Sequence, residues 1–284
     1  APRLAPAAIY FATTDPAYLD KTNATAIHAA LALDESAMAF DMLGSIRSAA
    51  GALRAAIDAS RPTLAVLSDI RTGLPGGADE RDGGDAAVAF LMASGDGDAP
   101  VLAEPIAAAS VTAEFLERWR IPGDPASRQW EERFGEHAYG PLAEAAIASA
   151  LQQAGLTGGE LASVVVAGSH GRANKRAAAV VGAKPTALGD DLTGSVGNTG
   201  AAQAGLLLAD ALDRAQADDL IMVVSLADGC DVTIWRATAA LARGRQRAPV
   251  AQQIKAGGRV SYPTFLTWRG FLKREPPRRP DPQP

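Results

Sequence analysis

The chain has little cysteine and no excess of positive charge. It carries one cysteine, Cys230, among 284 residues, which excludes an intrachain disulfide and a cysteine-rich zinc site and is typical of a reducing compartment. No apolar run approaches the ~20 residues that span a bilayer, and no signal peptide precedes the first predicted strand. The net charge of −5 provides no basic surface for nucleic-acid phosphates. We therefore predict a soluble cytoplasmic protein without a membrane or nucleic-acid partner.

Small apolar residues dominate the composition of the chain. Apolar residues make up 48% of the chain and aromatic residues 5%, and short apolar runs alternate with alanine-rich helical segments, a pattern typical of an α/β fold. The predicted strands cover residues 7–14, 37–43, 63–69, 86–93, 101–110, 163–167, 219–226 and 232–237. The predicted helices cover residues 23–33, a segment ending near 59, 139–154 and 199–215. We expect the strand at 101–110 to pair beside the strand at 86–93.

This order of strands and helices occurs twice, in two halves that meet near residue 140. The first half covers residues 1–140 and includes a ring-rich insertion at about 111–140, and the second half covers 141–242. Residues 243–284 form a basic and then proline-rich tail. Such a segment is not expected to order itself, so we interpret it as a linker or docking strap. Its possible anchors are Tyr262, Phe265, Trp268 and Phe271.

Two turns carry candidate chemistry. The valine run at 164–166 ends in Gly168-Ser169 and presents His170 just before a helix, which places an imidazole at the carboxyl edge of a buried strand. A small-residue turn at 194–202 presents Asn198. Both side chains can donate a hydrogen bond to a carbonyl oxygen or an oxyanion. The alternatives are a packing role for His170 and a helix N-cap role for Asn198.

Four further groups of residues are weaker candidates. Arg172, Lys175 and Arg176 follow His170 and are candidates for binding the phosphates of a nucleotide-tailed ligand; a solvated helix face is the alternative. Ser45 lies at a strand-to-helix turn where a nucleophile is favoured, although N-capping explains it as well. Cys230 is either a reactive thiol or a small buried side chain. The acidic residues at 79–85 lack a metal-ligand spacing, so we predict no metal site.

The chain resembles the thiolase superfamily, and within it the hydroxymethylglutaryl-CoA synthases and the ketoacyl synthases that start fatty-acid synthesis. Five stretches carry the resemblance: 39–47, 84–89, His170 with Asn174 and Arg176, 197–202, and 133–156. The resemblance implies an α/β thiolase-like fold in five α-β-α-β-α layers. It also implies a coenzyme A thioester as substrate, no permanently bound cofactor, and a homodimer formed through the sheet of the first half.

The sequence departs from the family pattern at two positions. The family's nucleophilic cysteine falls on Ile46, which cannot attack a thioester, and the synthases' catalytic glutamate falls on Thr14, with Asp15 one residue away. The family also has a strand-helix-strand-helix segment before the point where this sequence begins. We therefore expect a first half that is pared down or incomplete at its N-terminal side.

Three hypotheses follow. In the first, His170 and Asn198 polarise the carbonyl of an acyl-CoA, and a C–C bond is made or broken without an acyl-enzyme. In the second, the chain is a non-catalytic subunit that supports an active partner or an OB-fold, zinc-ribbon partner, because the tail at 262–270 resembles a segment that docks on such a protein. In the third, Ser45 or Cys230 has replaced the missing nucleophile.

Overall fold

A computed structural model describes residues 4–95, 100–244 and 248–275, apart from the side chains of Glu132 and Arg243. The described chain contains two four-stranded mixed sheets and one two-stranded ribbon. No helix among the described residues is both long and apolar enough to cross a membrane.

The first sheet has the strand order β2-β1-β3-β4, in which β1, β2 and β3 are parallel and β4 is antiparallel to β3. Its strands are β1 (Ala8–Thr13), β2 (Met38–Leu43), β3 (Thr63–Ile70) and β4 (Asp85–Met92). The helices α1 (Ala24–Ala30), α2 (Ser48–Ile57) and α3 (Ala78–Asp82) connect them. Helix α2 buries Ala49, Ala52, Leu53 and Ala56 against the sheet. These residues follow the i, i+3, i+4, i+7 spacing of one helix face.

The second sheet has the strand order β5-β10-β9-β8. Its strands are β5 (Ala103–Thr112), β8 (Ser163–Gly168), β9 (Leu220–Leu226) and β10 (Gly229–Ala237). The predicted pairing of the strand at 101–110 with the strand at 86–93 is wrong, because β5 pairs antiparallel with β10 instead. Ala107, Ala109 and Val111 of β5 pack against the core of the second sheet, so burial of this apolar face decides the sheet to which β5 belongs.

Helices separate the two sheets and cover the outer face of the second. The helices of the second half are α4 (Glu132–Ala154), α5 (Gly171–Val180) and α6 (Gln203–Arg214). Helix α6 packs on β8 and β9 and also on β4, and a Cβ on its Gly205 would come within 2.8 Å of Leu67. Glycine therefore allows α6 to pack closely between the sheets. Helices α4 and α5 pack together on the opposite side.

The ring-rich segment is only partly an insertion. The ribbon formed by β6 (Arg118–Trp119) and β7 (Arg128–Gln129) lies within it. Helix α4 then begins at Glu132, seven residues before the predicted start at 139, and continues through Pro141. Proline and glycine near the helix start mask the helical pattern in the sequence.

The expectation that the tail does not order itself is wrong for its described part. Helices α7 (Leu241–Gly244), α8 (Val250–Lys255) and α9 (Tyr262–Trp268) follow β10. Val250 is buried against the core that includes α6, and the Tyr262 hydroxyl donates to Glu80 Oε1 at 3.1 Å. Arg269 pairs with Asp85 at 2.7 Å. The tail is thus held on the body of the protein by specific contacts, whereas the proline-rich residues 276–284 lie outside the described residues.

Candidate functional site

A cavity of about 530 Å³ opens where the carboxyl ends of the first sheet face the second half. Its walls come from the end of β1, the β2–α2 turn, the end of β3, the segment from the end of β5 through β6, and the β9–β10 turn. The cavity lies outside the carboxyl ends of parallel strands, which is where open α/β sheets place ligands. The sequence-predicted residues on its wall are Thr14, Ser45 and Ile46.

Asp69, at the end of β3, fixes the position of the Thr14 turn. Its carboxylate is buried and accepts hydrogen bonds from Thr13 Oγ1 at 2.7 Å, from the Thr14 backbone N–H at 2.7 Å and from Thr14 Oγ1 at 2.9 Å. A fourth bond comes from the Ala201 backbone N–H at 2.7 Å, in the turn after Asn198. Asp69 therefore joins both halves at the cavity. Sequence reasoning missed it, although an acidic residue closing an apolar strand was a visible signal.

The β2–α2 turn presents Ile46 to the cavity between two polar residues. Ser45 Oγ donates to Asp228 Oδ2 at 2.9 Å and accepts the Arg47 backbone N–H at 3.1 Å. The N-cap role weighed for Ser45 is wrong, because the N-cap of α2 is Arg47 and no side chain caps it; Ser45 stabilises the turn before the helix instead. Arg47 bonds Asp231 Oδ2 at 2.9 Å, the Asp228 carbonyl at 2.7 Å and Thr112 Oγ1 at 2.8 Å. Arg47 thereby links the start of α2 to the second sheet.

His170 is buried at the start of α5. Its Nδ1 accepts the Ala173 backbone N–H at 3.1 Å, so the neutral ring carries its proton on Nε2. The Nε2 edge packs against α4, where a Cβ on Gly135 would lie 3.0 Å from Nε2. His170 therefore caps α5 and packs on α4, and its Nε2–H has the donor character that carbonyl polarisation requires.

Asn198 lies close to the His170 turn. Its Nδ2 donates to the Gly168 carbonyl at 2.9 Å, and its Oδ1 accepts the Gly200 backbone N–H at 3.0 Å. Asn174 Nδ2 donates to the same Gly168 carbonyl at 3.0 Å. The two predicted turns thus meet at Gly168. Among the described residues, however, the cavity wall includes Ser169 and neither His170 nor Asn198.

Cys230 lies in the core of the second half and is fully buried. Burial, with a smaller contribution from the charge of Asp231, raises the pKa of its thiol to about 12. The thiol is therefore protonated at neutral pH and has the surroundings of a packing residue, because the thiolate is the nucleophilic form. The structure gives no support to Cys230 as a nucleophile.

The cationic residues on the cavity wall are not those that the sequence suggested. Arg172, Lys175 and Arg176 lie exposed on α5, and Arg176 pairs with Glu144 of α4 at 3.3 Å. Among the described residues, four other arginines line the cavity: Arg47, Arg71, Arg118 and Arg120. They come from three separate segments, so no local pattern in the sequence grouped them.

Two further features define the chemistry of the site. Burial, together with the charge of Glu117, raises the pKa of the Tyr139 phenol on the cavity wall, so it is a neutral hydrogen-bond donor at neutral pH. In the part of the chain that the structure describes, no group of three or more His, Cys, Asp or Glu side chains is arranged to hold a metal ion.

The chain is similar in sequence to hydroxymethylglutaryl-CoA synthases. The chain is 28% identical over 274 residues to a hydroxymethylglutaryl-CoA synthase of Aeropyrum pernix, covering 93% of this chain and 75% of the relative. It is 26% identical over 275 residues to the corresponding synthase of Methanopyrus kandleri, covering 94% and 77%. No family model matches the sequence.

Solved structures share the fold. MvaS in complex with 3-hydroxy-3-methylglutaryl coenzyme A superposes with a TM-score of 0.73 at 20% identity, covering 98% of this chain and 77% of that one. A hydroxymethylglutaryl-CoA synthase complexed with CoA gives 0.72 at 16% identity, covering 87% and 68%. The β-ketoacyl-[acyl carrier protein] synthase III of Thermus thermophilus gives 0.68 at 20% identity, covering 81% and 76%.

The chain thus has a thiolase-like fold, built from two mixed-sheet halves around a shared cavity, as in the hydroxymethylglutaryl-CoA synthase and ketoacyl synthase structures with which it superposes. In sequence, the chain is similar to hydroxymethylglutaryl-CoA synthases. The predicted resemblance and the predicted thiolase-like fold class are confirmed.

Proposed function

We propose that the protein binds an acyl-CoA thioester in the cavity and makes or breaks a C–C bond without an acyl-enzyme. The observation that carries this proposal is the presence of Ile46 on the cavity wall, at the turn where the family resemblance places the nucleophilic cysteine. The single cysteine is buried elsewhere, in the core of the second half. A reaction that avoids covalent catalysis is compatible with this arrangement.

The retro-aldol cleavage of a β-hydroxyacyl-CoA is such a reaction. A base removes the proton of the β-hydroxyl group, the Cα–Cβ bond breaks, and its electron pair moves to the thioester carbonyl as an enolate. Protonation of Cα then releases an acyl-CoA and a carbonyl compound. The protein must hold the enolate oxygen with hydrogen-bond donors. His170 Nε2–H is one candidate, and the Asn198 carboxamide, whose Nδ2 carries two N–H groups, is the other.

The test compares His170→Gln with His137→Gln, an exposed histidine on α4. With a β-hydroxyacyl-CoA as substrate, we expect H170Q to lose at least 100-fold in kcat, because a positioned proton donor or acceptor contributes 10²–10⁴-fold. The Kd for CoA should change less than about threefold, since the nucleotide binds away from the reacting carbonyl. H137Q should match the wild type. Equal kcat values for wild type and H170Q would contradict the proposal.

The second hypothesis, a non-catalytic subunit, also has a specific observation in its favour. Neither His170 nor Asn198 is part of the described cavity wall, and Ile46 provides no nucleophile. Trp268 on α9 is 69% exposed, which supports our proposal that the tail contacts an OB-fold, zinc-ribbon partner in the cytoplasm. This hypothesis expects the pure chain to turn over no acyl-CoA. Turnover by the isolated chain would contradict it.

We further propose that the protein forms a homodimer through the first sheet. Strand β2 is an edge strand, and it exposes Met38, Phe40 and Leu43. An unpaired apolar edge is a template for pairing with another strand, so a second copy of β2 is a matching occupant.

A further inference from the structure

Glu117 places a buried carboxylate on the wall of the cavity. It directly precedes β6 and is 3% exposed. Its Oε1 accepts a hydrogen bond from Gln129 Nε2 at 3.0 Å, and no described residue donates to Oε2. Burying a carboxylate whose described hydrogen-bond partner is one neutral amide is costly. Each carboxylate oxygen has two lone pairs, so Oε2 is available to a ligand in the cavity.

The other carboxylates on the described cavity wall belong to Asp15, Glu114 and Asp228. All three residues are exposed, and Asp15 is also paired with Arg120 at 2.9 Å. An exposed carboxylate exchanges its proton with solvent. Exclusion of water prevents such leakage during a reaction, so the buried Glu117 is the wall carboxylate best placed to exchange a proton with a bound ligand.

Two groups already described lie beside Glu117. A Cβ on Gly135 of α4 would lie 3.1 Å from Glu117 Cγ and 3.0 Å from His170 Nε2, so the carboxylate and the imidazole approach the same point of α4. Tyr139 lies one helical turn further along, and burial, followed by the charge of Glu117, raises the pKa of its phenol. Glu117 and Tyr139 both lie on the described cavity wall. A proton acceptor and a neutral donor therefore face one cavity.

We propose that Glu117 is the catalytic acid–base group of this site and that its carboxylate exchanges a proton directly with the ligand in the cavity. This inference rests on the proposed function, because it takes the ligand to be a β-hydroxyacyl-CoA. The carboxylate comes from a different segment than Thr14, the position on which the synthases' glutamate falls.

One carboxylate can carry the proton through the whole reaction. In the cleavage direction, Glu117 takes the proton of the β-hydroxyl group, the Cα–Cβ bond breaks, and its electron pair moves to the thioester carbonyl as an enolate. The Tyr139 hydroxyl is a donor for the enolate oxygen on the same wall. Protonated Glu117 then gives the proton to Cα, which releases an acyl-CoA and a carbonyl compound and restores the carboxylate.

The first experiment compares Glu117→Gln with Glu131→Gln, a matched change at an exposed residue before α4. With 3-hydroxybutyryl-CoA as substrate, we expect Glu117→Gln to lower kcat at least 100-fold, because a positioned acid–base group contributes about 10²–10⁴-fold. The Kd for CoA should stay within about threefold, since the change preserves the size of the side chain. Glu131→Gln should match the wild type. Glu117→Asp keeps a displaced carboxylate and should give an intermediate kcat.

A second measurement needs no C–C cleavage. In the reverse direction Glu117 removes a proton from Cα, so the wild type should exchange the Cα protons of acetyl-CoA with D₂O, which proton NMR measures. Glu117→Gln should slow this exchange at least 100-fold, for the same reason as the cleavage.

The results separate the role of Glu117 from the proposed function. Equal kcat values for the wild type and Glu117→Gln would overturn the role of Glu117 and leave the proposed function intact. Exchange that depends on Glu117, without cleavage, would support its role, and the proposed C–C chemistry would fail. A wild type that neither cleaves nor exchanges would overturn both. If Glu117→Gln also loses CoA binding, Glu117 is structural and the proposal is overturned.

Discussion

At the scale of single residues, hydrogen bonds between buried polar groups hold the turns beside the cavity. Asp69 accepts four hydrogen bonds from three residues, and Gly168 offers one carbonyl to both Asn174 and Asn198. Because an unmatched buried polar group costs about 1–3 kcal/mol, such contacts hold the turns around the cavity in one arrangement.

Cys230 gives a prediction at this scale. Its thiol is fully buried, and its pKa is raised to about 12, so the folded protein should resist iodoacetamide at pH 8 and react rapidly once urea unfolds it. Because folding raises the pKa of the Cys230 thiol, the folded state is stabilised as long as the thiol is protonated. This contribution to the free energy of unfolding is complete below the pKa of the unfolded thiol, about 8.5. It is lost as the pH rises from there toward 12. Mass spectrometry before and after unfolding measures the adduct.

The matched control is a Cys230→Ala chain, which should take up no label in either state. Rapid labelling of the folded wild type at pH 8 would show an accessible thiolate and revive the hypothesis that Cys230 is the nucleophile.

At the scale of secondary-structure elements, the two sheets differ in how their faces are covered. In the second sheet, whose edge strands are β5 and β8, α4 and α5 cover the outer face. In the first sheet, β2 and β4 are both edge strands, and β4 leaves alternate residues exposed. The described first half is therefore the less covered of the two.

The edge of β2 gives the prediction at this scale. Phe40 is 51% exposed on β2 and stacks on Tyr10 of β1. Phe40→Lys should halve the mass measured by multi-angle light scattering, because a lysine on an apolar edge strand opposes strand pairing. Leu91→Lys, on the opposite edge strand β4, should leave the mass at the wild-type value.

Two results would contradict the dimer interface. The first is a dimeric mass for F40K, and the second is a monomeric mass for the wild type at micromolar concentration.

At the scale of the whole molecule, Arg47 joins the two halves beside the cavity, in addition to Asp69. Arg47 lies at the start of α2 and bonds to Thr112 of β5 and to Asp231 of β10. Arg47→Met should lower the free energy of unfolding by about 3 kcal/mol, since it leaves a partly buried carboxylate without its partner. The loss is measured by urea unfolding.

Arg54→Met is the control on the same helix, because the Arg54–Asp58 pair is exposed and exposed pairs contribute about 0–1 kcal/mol. An equal loss in both variants would mean that Arg47 does not link the halves energetically.

The local pattern of apolar and turn residues in the sequence was enough to predict most strands and the positions of several turns. The prediction of a strand at 7–14 agrees with β1, and that of a strand at 163–167 agrees with β8, because short apolar runs bounded by turn residues specify strands locally. The turns holding Ser45 and His170 were also predicted to follow strands, and they follow β2 and β8. The helix at 132–154 was predicted too short, since Gly135 and Pro141 interrupt its pattern.

The sequence by itself determined the alternation of strands and helices, and hence the fold class, because hydrophobic periodicity acts over a few residues. Only the tertiary structure decided that β5 joins the second sheet, that the tail docks on Glu80 and Asp85, and that Arg71, Arg118 and Arg120 share one cavity. These outcomes depend on contacts between residues far apart in the chain. Burial and charge balance in the folded state select such contacts, and no local pattern encodes them.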